Sequence, residues 1–251
     1  MNYHDMPIKE VMFGMPKVGE LLAAYGVGCI TCTVGTCLLR DVLDIHNFSE
    51  DKKKVIMSQV DKIIAGEDVE IEPIKLEKTQ QQTIFCSAIQ QLVDEHKNIL
   101  RLLDLAWYIV TKRRINDALM ETLKKVIYYV RNYVDKCHHV KEENILFKKV
   151  TDMDNIYAMI TEHEMGYNLI RIATEGIESN NQTQIKQALL GYVDLIREHI
   201  KREEKIMYLW FEKILSNMQK TEIQKEFEAV DLSFGRNMRD ELVKFLDENN
   251  C

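Results

Sequence analysis

The chain has 251 residues, 46% of them hydrophobic, and 33 Lys and Arg against 40 Asp and Glu give it a formal net charge of −7. That length allows one or two domains with a substantial core, and the acidic balance argues against general nucleic-acid binding. No run approaches the ~20 apolar residues that span a bilayer, so no membrane partner is expected. With 3 Pro and 10 Gly and long periodic apolar patterns, the chain is expected to be all-α. Residues 1–66 are expected to form a small helical unit carrying Cys29, Cys32 and Cys37. Residues 67–79 read as a polar linker, with Pro73 and the acidic Glu67, Asp68, Glu70 and Glu72. The remainder, 80–251, is helical. The first long helix is predicted from about Gln80 to Val110, with Leu92, His96 and Leu103 on one stripe. The second runs from about Asp117 to Lys149 and carries Val134, His138 and Glu142. The third starts near Asp154 and ends by Asn180 and Asn181, and the fourth runs from about Thr183 to Asn217 with Leu195, His199 and Glu203. A last amphipathic segment, Glu222 to Leu246, is expected on the outside, with a break at Gly235. Long helices with short connections suit antiparallel neighbours.

The chemistry is carried by a repeated pattern. His138-His139-Val140-Lys141-Glu142-Glu143-Asn144-Ile145 is followed later by His199-Ile200-Lys201-Arg202-Glu203-Glu204-Lys205-Ile206. Each places a His and a Glu four positions apart, on one face of a helix. Imidazole with carboxylate at that spacing is how a helix holds a transition metal inside a bundle. A single copy is weak, because a surface ion pair gives the same string. Two aligned copies, alternating with Glu95-His96 and Glu162-His163, read as a two-helix unit used twice. Four imidazoles (His96, His138, His163, His199) and two carboxylates (Glu142, Glu203) suit two metal ions rather than one. A lone His on an apolar stripe is usually a satisfied core residue. Four of them with two inward Glu would leave too few partners unless metal supplies the bonds. His139 and Glu143 form a second pair about 100° round the helix. They face solvent or a neighbour, or His139 serves as an extra ligand; a supporting partner of the ligands is the expected role.

These residues resemble the hemerythrin-like HHE cation-binding domain, over roughly residues 80 to 245. The strings that carry the resemblance are Cys137 to Phe147, Glu162-His163-Glu164 and His199 to Glu203. The resemblance implies an up-down four-helix bundle around a non-haem di-iron site. Terminal imidazoles would come from His96, His138, His163 and His199, and bridging carboxylates from Glu142 and Glu203. One departure from respiratory hemerythrin is plain: Tyr167 stands where a second third-helix His is found. That leaves one iron a ligand short, or open to water or substrate. Tyr167 is expected to pack in the core, the alternative being a hydrogen bond to a diatomic ligand.

Gly26-Val27-Gly28-Cys29-Ile30-Thr31-Cys32 resembles the small N-terminal domain of the repair-of-iron-centres proteins. The implied role of Cys29, Cys32 and Cys37 is thiolate chemistry: binding a metal or an Fe–S centre, or handling NO. Three ligands are one short of the usual four, and Cys86, Cys137 or a partner chain could supply the last. The alternative is small buried hydrophobes in a tight turn. Met1 to Glu10 lacks a basic region followed by an apolar stretch, so no secretory signal is read. The six Cys are accordingly expected as reduced thiols or ligands in the cytoplasm.

The ligand set constrains the reaction. Two Fe(II) carry four positive charges and two carboxylates cancel only two, so a His-rich site favours O2 or NO binding or one-electron redox over hydroxylation of strong C–H bonds. The expected function is a non-haem di-iron protein acting in nitrosative or oxidative stress response or in repair of iron centres. A reversible O2- or iron-binding carrier or sensor is one alternative, and a di-iron peroxidase or NO reductase another. The Cys-bearing unit favours the first, since a carrier has no need of it. Fe is the expected metal, though Mn or Zn suits the same ligands. Expected partners are the diatomic ligand, a second copy of the chain and an Fe–S client protein.

Overall fold

The computed structural model describes residues 3–27, 38–45, 48–71, 85–150 and 153–249. Cys29, Cys32 and Cys37 lie outside the described residues, as does most of the linker. The chain forms two compact units, Met1–Ile84 with Lys205–Lys213, and Phe85–Glu204 with Ile214–Cys251. The described residues are helical apart from short connections and an isolated bridge between Pro7 and Leu38. None of their helices is long and apolar enough to cross a membrane.

The first unit is built from α1 (Ile8–Gly14), α2 (Pro16–Ala24), the single turn α3 (Val42–Ile45) and α4 (Glu50–Ile64), together with Lys205–Lys213 from later in the chain. Pro16 opens α2 at the first helical position, where no backbone N–H is needed. Both α2 and α4 end on a glycine in the left-handed region, Gly26 at φ 80° and Gly66 at φ 82°. There the N–H groups of Gly66 and Glu67 reach back to the carbonyls of Ile63 and Lys62, satisfying the last turn as a Schellman motif does. The apolar faces meet in a core of its own that includes Val18, Leu22, Leu43, Ile56 and Val60.

The second unit is the bundle. Its first helix is α5 (Ser87–Lys112), followed by α6 (Asp117–Tyr129). The latter continues without a break through a π-helical stretch (Val130–His138), the single turn α7 (His139–Lys141), a second π-helical stretch (Glu142–Leu146) and a 3-10 turn (Phe147–Lys149). Then come α8 (Met153–Glu178) and α9 (Gln182–Arg202), which passes into a π-helical stretch at Glu203–Met207. Asn180, at φ 51°, and Asn181 make the tight connection between α8 and α9, and the Asn181 side chain caps α9 by accepting from the Gln184 N–H. Each of the four long helices packs on two others: α5 on α6 and α9, and α8 on α6 and α9. The result is the expected all-α four-helix bundle. One core joins Leu102, Leu103, Val130, Val134, Leu189 and Val193 across it.

Two boundaries and the place of the last segment differ from expectation. The first long helix begins at Ser87, with Cys86 extended at ψ 160°. The fourth does not run to Asn217: α10 (Tyr208–Ile214) ends it, and Ser216 starts α11 (Asn217–Val230) through a capping box with Gln219. After a π-helical stretch at Asp231–Gly235, α12 (Arg236–Glu248) closes the described chain. The C-terminal segment is also more than an outer layer, because Leu242, Phe245 and Leu246 are buried in the bundle core. Leu102 is fully buried there, so Leu102→Ala is expected to cost about 2–5 kcal/mol, read as a lowered midpoint in denaturant unfolding.

Candidate metal centre

The long helices bring one set of buried polar groups into the middle of an apolar core. His96 on α5, His138 and Glu142 on the second helix, His163 on α8, and His199 and Glu203 on the fourth are each at most 2% exposed. They fall into two groups, His96, His138, Glu142 and Glu203, and Glu142, His163, His199 and Glu203. Within each group the potential ligand atoms lie within 4.8 Å of one another. The two carboxylates are common to both. Glu142 opens one π-helical stretch and Glu203 another; such widened turns recur at functional sites.

All four imidazoles present Nε2 to the inside. His138 and His163 Nε2 stand 3.6 and 3.7 Å from the Glu142 oxygens, and His96 and His199 Nε2 stand 3.3 and 3.0 Å from those of Glu203. The Nε2 atoms of His163 and His199 are 2.9 Å apart, a spacing suited to two imidazoles sharing one ion about 2.1 Å away.

Every Nδ1 is taken up by a carboxylate from a neighbouring helix. Glu95 on α5 holds His138 at 2.9 Å, and Glu143 on the second helix holds His163 at 2.6 Å. Glu162 on α8 holds His199 at 2.8 Å, and Glu204 on the fourth helix holds His96 at 2.9 Å. Each helix thus supports the imidazole of the next, and the fourth returns to the first. A carboxylate on Nδ1 fixes the tautomer, turns Nε2 inward and raises its basicity toward a metal. Two of these carboxylates carry a cation from the same place in the repeated motif: Lys141 on Glu95 and Arg202 on Glu162.

The electrostatics follow from this packing. Burial alone would raise the Glu203 carboxyl, but the His199 and His96 imidazoles hold it well below the usual range. Burial likewise opposes charge on His199, yet Glu203 and Glu162 bring it up to about 9. His138 goes the other way, pushed down to about 4 chiefly by burial. Glu95 is held at about 2 against burial by His138 and Lys141.

The fit to a metal can be tested on Glu203. Both of its oxygens are buried without a well-formed hydrogen bond, facing the His199 and His96 Nε2 atoms at 3.0 and 3.3 Å, a costly setting for a carboxylate with no cation beside it. A cation between Glu203 and the imidazoles would meet both. The donor set of imidazole and carboxylate suits divalent transition metals, and these residues are able to hold them.

His139 is buried, not solvent-facing, and its ring stacks on His163 with centroids 3.8 Å apart at 13°. Glu143, expected to pair with it, binds His163 instead. Tyr167 does not pack in the core: it is 36% exposed, donates to Glu143, and its hydroxyl is 3.3 Å from His139 Nδ1. Cys137 is a buried thiol whose Sγ donates to the Asn132 carbonyl, and burial pushes it up to about 11. That is the behaviour of a packed thiol.

Sequence reasoning named Glu95 and Glu162 only as neighbours of His, and missed Glu204, Lys141 and Arg202 as contributors. Their signal was in the repeat itself, which reads His, two residues, Lys or Arg, then Glu-Glu in both copies.

Residues 87–211 match the family model described as the hemerythrin HHE cation-binding domain. All six inner residues lie inside the match, which does not extend to residues 1–66. No curated protein and no solved structure matches the chain.

Proposed function

We propose that this chain, hemerythrin-like over residues 87–211, binds two iron ions and presents them to O2 or NO in nitrosative or oxidative stress or in the repair of iron centres. His96 and His138 would hold one ion and His163 and His199 the other, with Glu142 and Glu203 common to both. The observation that carries this reading is the pair of four-residue groups sharing both carboxylates. Iron bound there supplies a coordination position for a diatomic ligand and one-electron redox chemistry.

The chain's own residues prepare that position. The four outer carboxylates hold the protons on Nδ1 and leave Nε2 free to ligate. Apolar packing around the centre keeps bulk water away. Tyr167, 36% exposed, lies beside His139 and Glu143. The cytoplasm is the proposed compartment, with residues 1–66 supplying thiols.

Metal analysis of anaerobically purified protein from iron-rich medium tests the centre. Two ions per chain are expected, and well-folded protein with none or one overturns the reading. Optical spectra with O2 and with NO then separate the roles. Reversible O2 spectra with no NO adduct would favour a carrier, and sustained peroxide or NO consumption an enzyme. His138→Ala should lose metal, whereas His139→Ala should keep it, because His139 packs on a ligand rather than serving as one. Equal metal loss in the two variants would make His139 a ligand as well.

A further inference from the structure

The two halves of the centre are built alike but finished differently. In the second half Arg202 binds Glu162, and its side chain is 24% exposed with a buried Nε that has no hydrogen-bond partner. In the first half the counterpart cation, Lys141, is 1% exposed. Beyond Glu95, its Nζ lies 2.6 Å from Asp231 Oδ1 and 5.9 Å from the Phe227 ring centroid. Gln91 ties the same pair together, donating to Glu95 at 3.1 Å and to Asp231 at 2.8 Å. Phe227 is fully buried on α11, and Asp231 opens the π-helical stretch after it. Both lie beyond residue 211, where the family match ends. The C-terminal segment therefore caps a buried cation that aims Glu95 at His138, and the other half has no equivalent among the described residues.

The geometry points to Asp231 as a positioning residue for the metal centre, which makes the ion on His96 and His138 the more tightly held of the two. Fixing Lys141 fixes Glu95, and Glu95 fixes the His138 ring with Nε2 inward. A pre-oriented imidazole binds metal without first losing its rotational freedom. On the His199 side a single, partly solvated Arg202 does the same work with less constraint. The two positions should therefore fill in order, first the His138 side and then the His199 side.

The inference rests on the two-ion reading, and one experiment separates the two. Fe(II) is titrated anaerobically into the full-length protein against a competing chromophoric chelator. Two resolved steps are expected for the wild type; a single ion bound at saturation would overturn the two-ion reading itself. Two equal steps would overturn only the inequality inferred here. Asp231→Asn keeps the shape and removes the charge; acting through Lys141 and Glu95, it should weaken the tighter step about 10-fold, the low end of the effect of losing a direct outer partner of a ligand, and leave the weaker step within twofold. Arg202→Gln should do the converse. Loss of general stability alone would shift both steps together with the melting temperature of the chelated protein, and that pattern overturns the inference, as does no change in Asp231→Asn. Lys141→Gln serves as the harsher companion; if it fails to fold, the partly exposed Asp231 position still decides the question.

Discussion

Chelating the iron from loaded protein is expected to lower the melting temperature of the bundle by roughly 10–20 °C. Each ion binds the folded chain and not the unfolded one, so at free metal about 100 times its Kd it adds about 2.7 kcal/mol. Two ions double that, and a domain of this size moves about 2–4 °C per kcal/mol. Trp107 and Trp210 stand one in each compact unit. Fluorescence of a Trp210→Phe variant therefore follows the bundle alone. The shift should appear in the Trp107 signal and depend on metal concentration. A melting curve indifferent to chelator would mean that the buried groups support the fold without metal.

Glu203→Ala is expected to abolish stoichiometric loading at both positions, weakening each by more than the ~10–100-fold typical of an outer partner. Glu203 is shared by both groups, so its loss cannot be confined to one ion. His138→Ala, which belongs to one group only, should spare the other. In metal-replete buffer the Glu203→Ala melting temperature should fall to that of the chelated wild type. Retention of one ion at wild-type affinity would show that Glu203 serves a single position.

The inner residues were legible in the sequence because they obey helical periodicity. His96 shares a stripe with Leu92 and Leu103, and a spacing of four puts His138 over Glu142 and His199 over Glu203. Those relations are internal to one helix, and a one-dimensional pattern records them. The outer carboxylates act between helices. Glu95 adjoins His96 in the chain yet serves His138, 43 residues away, and no spacing rule links the two. Counting only Glu142 and Glu203 makes the site cationic once two Fe(II) are bound. The six carboxylates around the imidazoles, partly offset by Lys141 and Arg202, give a more negative surrounding. That extra negative charge would favour a bound cation more than the inner ligands alone. The misplaced end of the fourth helix has a different cause. The Ser216 to Gln219 capping pattern was present in the sequence, but the apolar period on either side of it masked the stop. Tyr167 was expected in the core because aromatic residues usually pack there, although one with a hydroxyl can pack its ring and still reach the rim.

The circuit of carboxylates and imidazoles has a bearing on cooperativity. Three of its links join consecutive helices, but the fourth, Glu204 to His96, spans 108 residues and joins the ends of the bundle. Lifting any one helix away breaks two links, the one it gives and the one it receives, and removes its own ligands as well. Partial opening of the loaded bundle therefore surrenders nearly as much binding energy as complete opening. Amide hydrogens near the centre on all four helices should then exchange as one protected class while metal is bound, and separate into faster and slower classes once it is removed.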